Sequence, residues 1–208
     1  MKMRMALLTA VFTALWVITA CVNLGSSPST RFYLLESTVT AMAASGQGGG
    51  LTDISLGIGP VTIPSYLDRP QLVTRLGANE LRIDEFLQWA EPLRVNILRV
   101  IQENVAMLTG AKHIHTYPIT RSAAIDYQIS LDVLRFDADT AGTVTLKSVW
   151  RIVSPAGHQQ LMEKRATIVT PSGGTDTIDV VDAMNKALAA LSQEMVNALI
   201  DVDLSLIH

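Results

Sequence analysis

The first 20 residues decide which part of this 208-residue chain is left to fold. Lys2 and Arg4 precede an uncharged and mostly apolar run from Met5 to Ala20. A short basic segment followed by such a core is the layout of a secretory signal peptide, and the core is short for a membrane span. We therefore predict that residues 1–20 are removed on export and that the folded domain lies after them.

The only cysteine of the chain, Cys21, directly follows this segment. The sequence ITAC at residues 18–21 resembles the lipobox of bacterial lipoproteins. The resemblance implies cleavage before Cys21, diacylation of its sulfur and acylation of the new amino group, and two or three acyl chains anchor a protein stably. Val22 stands where an aspartate would favour the inner membrane, so we expect the periplasmic face of the outer membrane. The alternative is an ordinary signal peptide or anchor helix with a chance cysteine.

The mature chain is predicted to be acidic. Loss of residues 1–20 removes Lys2 and Arg4 and leaves 188 residues with 14 basic and 19 acidic side chains, a net charge of −5. Such a chain has no basic excess to neutralise the phosphates of a nucleic acid. With Cys21 lipidated, no thiol remains for a disulfide, a cysteine-rich zinc site or thiol-dependent catalysis.

Two low-complexity stretches delimit the predicted domain. Residues 21–30 are rich in Ser, Gly and Pro and are typical of a flexible tether, so we expect a single domain over residues 31–208. Residues 37–50 end in three glycines and predict a loop. This stretch lacks the Lys-Ser/Thr of a phosphate-binding loop and precedes a strand rather than a helix.

Apolar residues that alternate with polar ones predict several strands. The predicted strands cover residues 32–35, 54–63, 71–76, 80–84, 113–117, 125–133, 143–153 and 161–169. Gly77-Ala78-Asn79 joins two of them in a hairpin. In residues 125–133 the strict alternation indicates one buried and one wet face, which is typical of an antiparallel sheet.

Two segments have helical periodicity instead. Pro92 suits the first position of a helix that ends at Gly110, and its apolar face is Leu93, Ile97, Val100, Ile101, Val105 and Leu108. A second helix begins at Thr177 or Asp179, with Val181, Met184, Leu188, Leu191, Met195 and Leu199 on one face. The order of strands, helix, strands and helix predicts an α+β, two-layer sandwich with a mostly antiparallel sheet and two main helices.

Two motifs within residues 56–93 resemble a known family. LGIGPVTIPSYLDRPQLV at residues 56–73 is similar to the central signature of the PqiC-type lipoproteins, the ABC-type transport auxiliary lipoproteins of Gram-negative bacteria. FLQWAEPL at residues 86–93 is similar to the tryptophan-centred motif of that family, and residues 33–35 and 80–81 also fit. The similarity covers the mature chain, although the C-terminal half matches by pattern more than by residue identity.

The resemblance implies a non-enzymatic subunit of a transenvelope lipid-transport system. Family members work with an MCE-domain protein and often with an ABC permease and ATPase. The expected role is to anchor or receive the periplasmic conduit at the outer membrane and to support membrane integrity. No catalytic motif or cofactor carries over, and Cys21 is the one chemically defined site. Contact with phospholipid and a homo-oligomer stay open, as do two alternatives: a periplasmic envelope hydrolase and a purely structural envelope lipoprotein.

A loop bracketed by prolines at residues 64 and 70 is the first candidate site for binding a partner. It offers Tyr66, Leu67, Asp68 and Arg69 between two strands. Alternatively, Tyr66 and Leu67 pack against the sheet edge while Asp68 and Arg69 pair with each other. Trp89 is the second candidate, because tryptophan is enriched at binding hot spots, but it also suits the core beside the first helix.

Other candidate sites are weak. His113 and His115 would share a strand face but lack a third metal ligand. Asp132, Asp137 and Asp139 lack the glycine and terminal glutamate of a calcium loop, so we expect a solvated turn. Ser172-Gly173-Gly174 does not fit a nucleophile motif. In the C-terminal helix Met184, Met195 and the alanines Ala183, Ala187, Ala189 and Ala190 either bind acyl chains or a subunit, or pack on the chain's own sheet.

Overall fold

The computed structural model describes residues 28–39, 51–119, 124–154 and 159–206. The predicted signal peptide, Cys21 and most of the tether and of the glycine-rich stretch lie outside the described residues. The strands are β1 (Arg31–Tyr33), β2 (Ser55–Thr62), β3 (Gln71–Arg75), β4 (Leu81–Trp89), β5 (His113–Thr116), β6 (Tyr127–Asp139), β7 (Val144–Val153) and β8 (Gln160–Thr170). The helices are α1 (Leu93–Thr109) and α2 (Thr177–Leu206). Neither helix, over the ranges described, is long and apolar enough to cross a membrane.

All eight strands belong to one sheet, with the long strand β6 at its centre. One edge of β6 pairs antiparallel with β7, which pairs antiparallel with β8. The other edge pairs in parallel with two strands in succession, β2 at residues 127–132 and β3 at residues 138–139. Beyond these, β3 pairs antiparallel with β4 as the predicted hairpin, and β1 and β5 add parallel edges to β4 and β2. The sheet is therefore mixed, and the prediction of a mostly antiparallel sheet is wrong.

The pattern of β6 explains this error. Tyr127, Ile129, Leu131 and Val133 are buried and alternate with half-buried polar residues, as predicted. The helices α1 and α2 contact each other and pack on the sheet from the same side. Neither described helix therefore covers the opposite face of β6, although β2 and β3 run parallel to it. Alternation shows which face of a strand is buried. It indicates strand direction only indirectly, because parallel strands usually have both faces covered.

Helix α1 ends where the sequence predicts. Pro92 is its N-cap residue rather than its first helical residue, and Gly110 closes it with a φ of 66°. A left-handed residue after the last turn lets the backbone N–H of Gly110 donate to the carbonyl of Ala106, at 2.9 Å. All six apolar positions predicted for this helix are buried.

Helix α2 begins at Thr177, one of the two predicted starts, and packs on the sheet. Asp179 lies in its first turn, where a carboxylate interacts favourably with the helix dipole. All six predicted apolar positions are buried, including Met184 and Met195, and so are Ala183 and Ala187. These side chains are therefore used by the chain's own core.

The segment that follows β1 is held between the two helices. Leu35 is completely buried, and its carbonyl accepts a hydrogen bond from Nη2 of Arg99 at 2.6 Å. The backbone N–H of Glu36 donates to Oδ1 of Asn185 at 3.0 Å, and the Ser37 hydroxyl donates to Oδ1 of Asn104 at 2.6 Å. These contacts fix the position at which the N-terminal part of the chain joins the fold.

Two glycines of the 56–73 motif allow β2 to approach the segment after β5. Gly59 has a φ of 105°, and a Cβ built there would lie 2.7 Å from Cβ of Tyr117. A Cβ at Gly57 would lie 2.5 Å from Cδ1 of Ile119. A side chain at Gly59 would therefore clash with Tyr117 and strain the backbone, whereas one at Gly57 would displace only the end of the Ile119 side chain.

Candidate functional site

The two candidate segments from the sequence meet in one cleft. Asp68, Arg69 and Pro70 line one side, and residues 89–92 line the other, around a volume of about 370 Å³. The backbone N–H of Trp89 donates to the carbonyl of Pro70 at 2.7 Å and joins the two sides. We call this cavity the Arg69 cleft. Its volume lies in the range of small-molecule sites.

The loop over residues 63–70 bridges a gap along one edge of β6. Strands β2 and β3 run in the same direction on that edge, and the loop leaves the sheet between them. Leu67 turns into the core and is only 3% exposed, and its N–H donates to the carbonyl of Pro64 at 2.9 Å. Asp68 is exposed at the rim of the Arg69 cleft. The loop is thus held from inside and presents its next residues to a partner.

Tyr66 holds the loop to β6 through a buried carboxylate. Its hydroxyl donates to Oδ2 of Asp137 at 3.0 Å. Arg75 donates to both carboxylate oxygens, at 3.0 and 2.9 Å, and Nε of Arg135 donates to Oδ1 at 2.8 Å. We call these four residues the Asp137 cluster. Burial raises the pKa of Tyr66, and the negative charge of Asp137 raises it further.

The prediction that Asp137 lies in a solvated turn is wrong. Its side chain has no exposed surface, whereas Arg75 and Arg135 keep 19% and 25% of theirs. The loop over residues 63–70 and the two arginines cover a position that the alternating pattern assigns to the wet face. The hydrogen bonds to Asp137 also raise the pKa of Arg75.

Trp89 and Arg69 contribute differently to the Arg69 cleft. Trp89 is 5% exposed and belongs to the core, so it forms the floor of the cleft. Arg69 is half-buried, and its Nε–H is buried without a hydrogen-bond partner in the described part of the chain. Tyr66 and Leu67 do pack inward, as the alternative interpretation had it. However, neither Asp68 nor Arg69 forms an ion pair with another described residue.

A second charged group borders the Arg69 cleft. Glu91 lies 3.3 Å from Nε of Arg99, whose Nη1 is 3.1 Å from Glu103 and 3.6 Å from Glu36. We call these the Arg99 cluster. Burial lowers the pKa of Arg99, but its hydrogen bonds to Glu103 and Glu91 outweigh that effect and raise it overall. Glu91 is therefore directed to Arg99 rather than to Arg69.

The remaining sequence candidates have local contacts. His113 and His115 lie on β5, and in the described ranges no group of three His, Cys, Asp or Glu side chains could hold a metal ion. Asp139 accepts hydrogen bonds from the backbone N–H groups of Ala141 and Thr143, both at 2.9 Å, within a turn. The Ser172 hydroxyl donates to the carbonyl of Gly174.

Sequence reasoning missed two features of this region. Arg75 was not a candidate, because it is 62 residues from Asp137 and no local pattern links them. Arg135 is two residues from Asp137, so the alternation of side chains along a strand could have placed the two on one face. A smaller cavity of about 90 Å³ lies behind the Arg69 cleft, between the β3–β4 hairpin and the start of α2. Its lining includes Leu67, Trp89 and Met184 from separate elements, so only the folded chain assembles it.

The class of this protein follows from a family comparison. The family model of the ABC-type transport auxiliary lipoprotein component matches residues 33–196, which include the Arg69 cleft and the Asp137 cluster. The chain therefore belongs to the ABC-type transport auxiliary lipoprotein family, as its motifs predict. A comparison with curated proteins gives no match.

Two solved structures share the fold. A Xanthomonas campestris protein of the DUF330 family is 19% identical with a TM-score of 0.70, and the match covers 84% of this chain and 98% of that one. An uncharacterized protein is 14% identical with a TM-score of 0.67, and the match covers 83% of this chain and 99% of that one. The mixed α+β architecture is therefore shared with both.

Proposed function

We propose that this chain is the lipid-anchored, non-catalytic subunit of an MCE-type ABC lipid-transport system. In this proposal Cys21 holds it at the periplasmic face of the outer membrane, and residues 31–208 act as a single domain that anchors or receives the periplasmic conduit. Family membership over residues 33–196 and the apolar segment that ends at Cys21 support the proposal. The partners are an MCE-domain protein and its associated ABC permease and ATPase, and the system supports membrane integrity.

We place the proposed partner contact at the Arg69 cleft. A buried N–H without a hydrogen bond costs about 1–3 kcal/mol, which a carbonyl or carboxylate of a partner would recover. The prolines at positions 64, 70 and 92 restrict the backbone on both sides of the cleft. A site that is already ordered loses little conformational entropy when a partner binds.

The five predicted partner-binding residues divide into two groups in this proposal. Asp68 and Arg69 meet the partner directly, because they line the cleft without belonging to the core. Tyr66, Leu67 and Trp89 position the loop and the cleft floor through the Asp137 cluster and the core.

Co-purification of the full-length lipoprotein with its MCE-domain protein tests the proposal. We expect Arg69→Ala to weaken the association about tenfold or more, the equivalent of about 1.4 kcal/mol. Arg94→Ala is the matched control, because Arg94 is an exposed arginine at the start of α1. A folded Arg69→Ala variant that binds like wild type would contradict the cleft assignment. A wild-type protein that binds no MCE-domain protein, with normal permeability after deletion of its gene, would contradict the transport role and favour a purely structural lipoprotein.

Anchoring is tested separately at Cys21. We expect Cys21→Ala to leave the signal peptide uncleaved or to release the protein from membranes. Mass spectrometry of the purified protein measures processing and acylation, and density separation of the two membranes measures location. A Cys21→Ala protein that is processed and fractionates like wild type would overturn the lipobox interpretation.

A further inference from the structure

The face of β6, β7 and β8 opposite the helices collects basic side chains. Arg135 on β6 is paired in register with Lys147 on β7, and Lys147 is paired with Thr167 on β8. Arg165, two residues before Thr167, lies on the same face because side chains alternate along a strand. Arg75 joins them, because it shares the carboxylate of Asp137 with Arg135. We call Arg75, Arg135, Lys147 and Arg165 the basic face.

The charge on this face is poorly compensated. Asp137 is shared by two of the arginines and has no exposed surface, and Asp139 lies in register with Arg75. Lys147 and Arg165 are exposed, and neither is among the residues that form ion pairs in the described part of the chain. Four cations against these two carboxylates leave a local excess of two positive charges. The mature chain as a whole is predicted to carry −5, so this face differs in sign from the rest of the protein.

The arrangement also opposes folding. Like charges placed directly opposite each other on neighbouring antiparallel strands are destabilising, and Arg135 and Lys147 are such a pair. Further along the same strands Arg151 pairs with both Asp132 and Glu163, each at 2.6 Å, so this section has two carboxylates for one cation. This side of the sheet thus has a section with excess negative charge and a section with excess positive charge, and an anion bound from outside would reduce the repulsion in the positive section.

We propose that the basic face docks onto an anionic lipid surface. The inference rests on the anchoring part of the proposed function, since the acyl chains of Cys21 would keep the domain beside a bilayer. The nine residues from 22 to 30 span at most about 30 Å when extended. Each Lys or Arg close to an anionic membrane adds to the electrostatic attraction. A few such contacts hold a tethered domain, whose effective concentration at the surface is already high.

An exposed apolar side chain on the face favours a membrane over an acidic protein. The Arg69 cleft and the smaller cavity are lined by other residues, so neither supplies a recess for a partner side chain on the basic face. Val169, which is paired in register with Thr145 beside the basic residues, is 59% exposed. Exposed cations beside an exposed apolar side chain suit the headgroup region of a bilayer.

A single introduced cysteine reports the docking. Once Cys21 is acylated, Thr167→Cys carries the one free thiol and can be labelled with an environment-sensitive nitrobenzoxadiazole dye. The full-length lipoprotein is reconstituted in vesicles of phosphatidylcholine, or of equal parts of phosphatidylcholine and phosphatidylglycerol. We expect a blue shift and stronger emission only in the anionic vesicles, reversed by high salt. A label at Ala190→Cys, on the exposed side of α2, is the matched control and stays unchanged.

Charge reversal identifies the residues responsible. We expect Lys147→Glu with Arg165→Glu to abolish the response of the Thr167→Cys label, whereas Arg94→Glu leaves it intact. Equal emission in both kinds of vesicle would overturn the proposal. A label that responds to the added MCE-domain protein but not to vesicle charge would also overturn it and assign the face to an acidic protein. Mass spectrometry of each sample shows whether Cys21 is acylated, so a failed anchor is distinguished from a failed docking face.

Discussion

The Asp137 and Arg99 clusters use the same ion-pair chemistry in different surroundings. Asp137 has no exposed surface, whereas the three glutamates around Arg99 are 30% to 58% exposed. A buried carboxylate cannot exchange a lost partner for water, so breaking a buried pair costs several kcal/mol. Exposed pairs contribute about 0–1 kcal/mol, because water and salt replace the partner. The free energy lost when an ion pair is broken therefore depends more on solvent access to the carboxylate than on the number of ion pairs.

The two clusters also support different parts of the molecule. The Asp137 cluster joins the loop over residues 63–70, β3 and β6, and therefore supports the Arg69 cleft from behind. The Arg99 cluster holds the segment after β1 against α1. We therefore expect changes at Asp137 to affect partner binding as well as stability.

The largest effect is expected for Asp137→Asn. The neutral amide leaves Arg75 and Arg135 without a counter-charge, and we expect the free energy of unfolding to fall by about 3 kcal/mol. Urea denaturation followed by circular dichroism measures it. Asp132→Asn is the control, because Asp132 pairs with Arg151 at a half-exposed position on the same strand. A loss at Asp137 no greater than at Asp132 would remove the distinction between the two clusters.

A smaller loss is expected for Tyr66→Phe. The change removes the hydroxyl that donates to Asp137 without changing the ring, and hydrogen bonds to charged groups contribute about 1.5–3 kcal/mol. We expect about 1.5 kcal/mol by urea denaturation, because the two arginines still satisfy the carboxylate. A Tyr66→Phe protein as stable as wild type would show that the loop is held by Leu67 and the core alone.

The pH dependence of the same pair sharpens this measurement. The pKa of Tyr66 is raised in the folded state by burial and by Asp137. Above pH 10 the unfolded chain loses the phenolic proton while the folded chain retains it, so wild-type stability falls as pH rises. Tyr66→Phe lacks this contribution, and the difference in stability between the two proteins should therefore shrink above pH 10. Tyr127, whose pKa burial and Asp203 raise to about 12, titrates in both proteins and cancels. A constant difference across this range would contradict the interpretation.

The smallest effect is expected for Glu103→Gln in the Arg99 cluster. Arg99 keeps Glu91, Asn96 and the carbonyl of Leu35 as partners, so we expect a loss of about 0.5 kcal/mol. The loss should decrease in high salt, because exposed pairs are screened. A loss as large as that of Asp137→Asn, unaffected by salt, would show that the Arg99 cluster behaves as a buried one.

Features that depend on neighbours in sequence could be predicted well. The apolar face of α1, its end at Gly110 and the β3–β4 hairpin all follow from residues a few positions apart. The candidate segments of the Arg69 cleft were also recognised, but as two unrelated sites. The two segments meet because of the hydrogen bond from Trp89 to Pro70 and the path of the loop along β6. No local sequence pattern encodes either of these.

Local sequence was therefore sufficient for the helices, for most strand positions and for the family motifs, because periodicity, caps and turns act over a few residues. Tertiary structure decided the direction of β2 and β3 beside β6, the burial of Asp137 and the register that sets Arg135 opposite Lys147. Tyr66 and Asp137 are 71 residues apart. Contacts of that kind depend on how strands pair and which faces are covered, and the free energy of the whole fold selects among those arrangements.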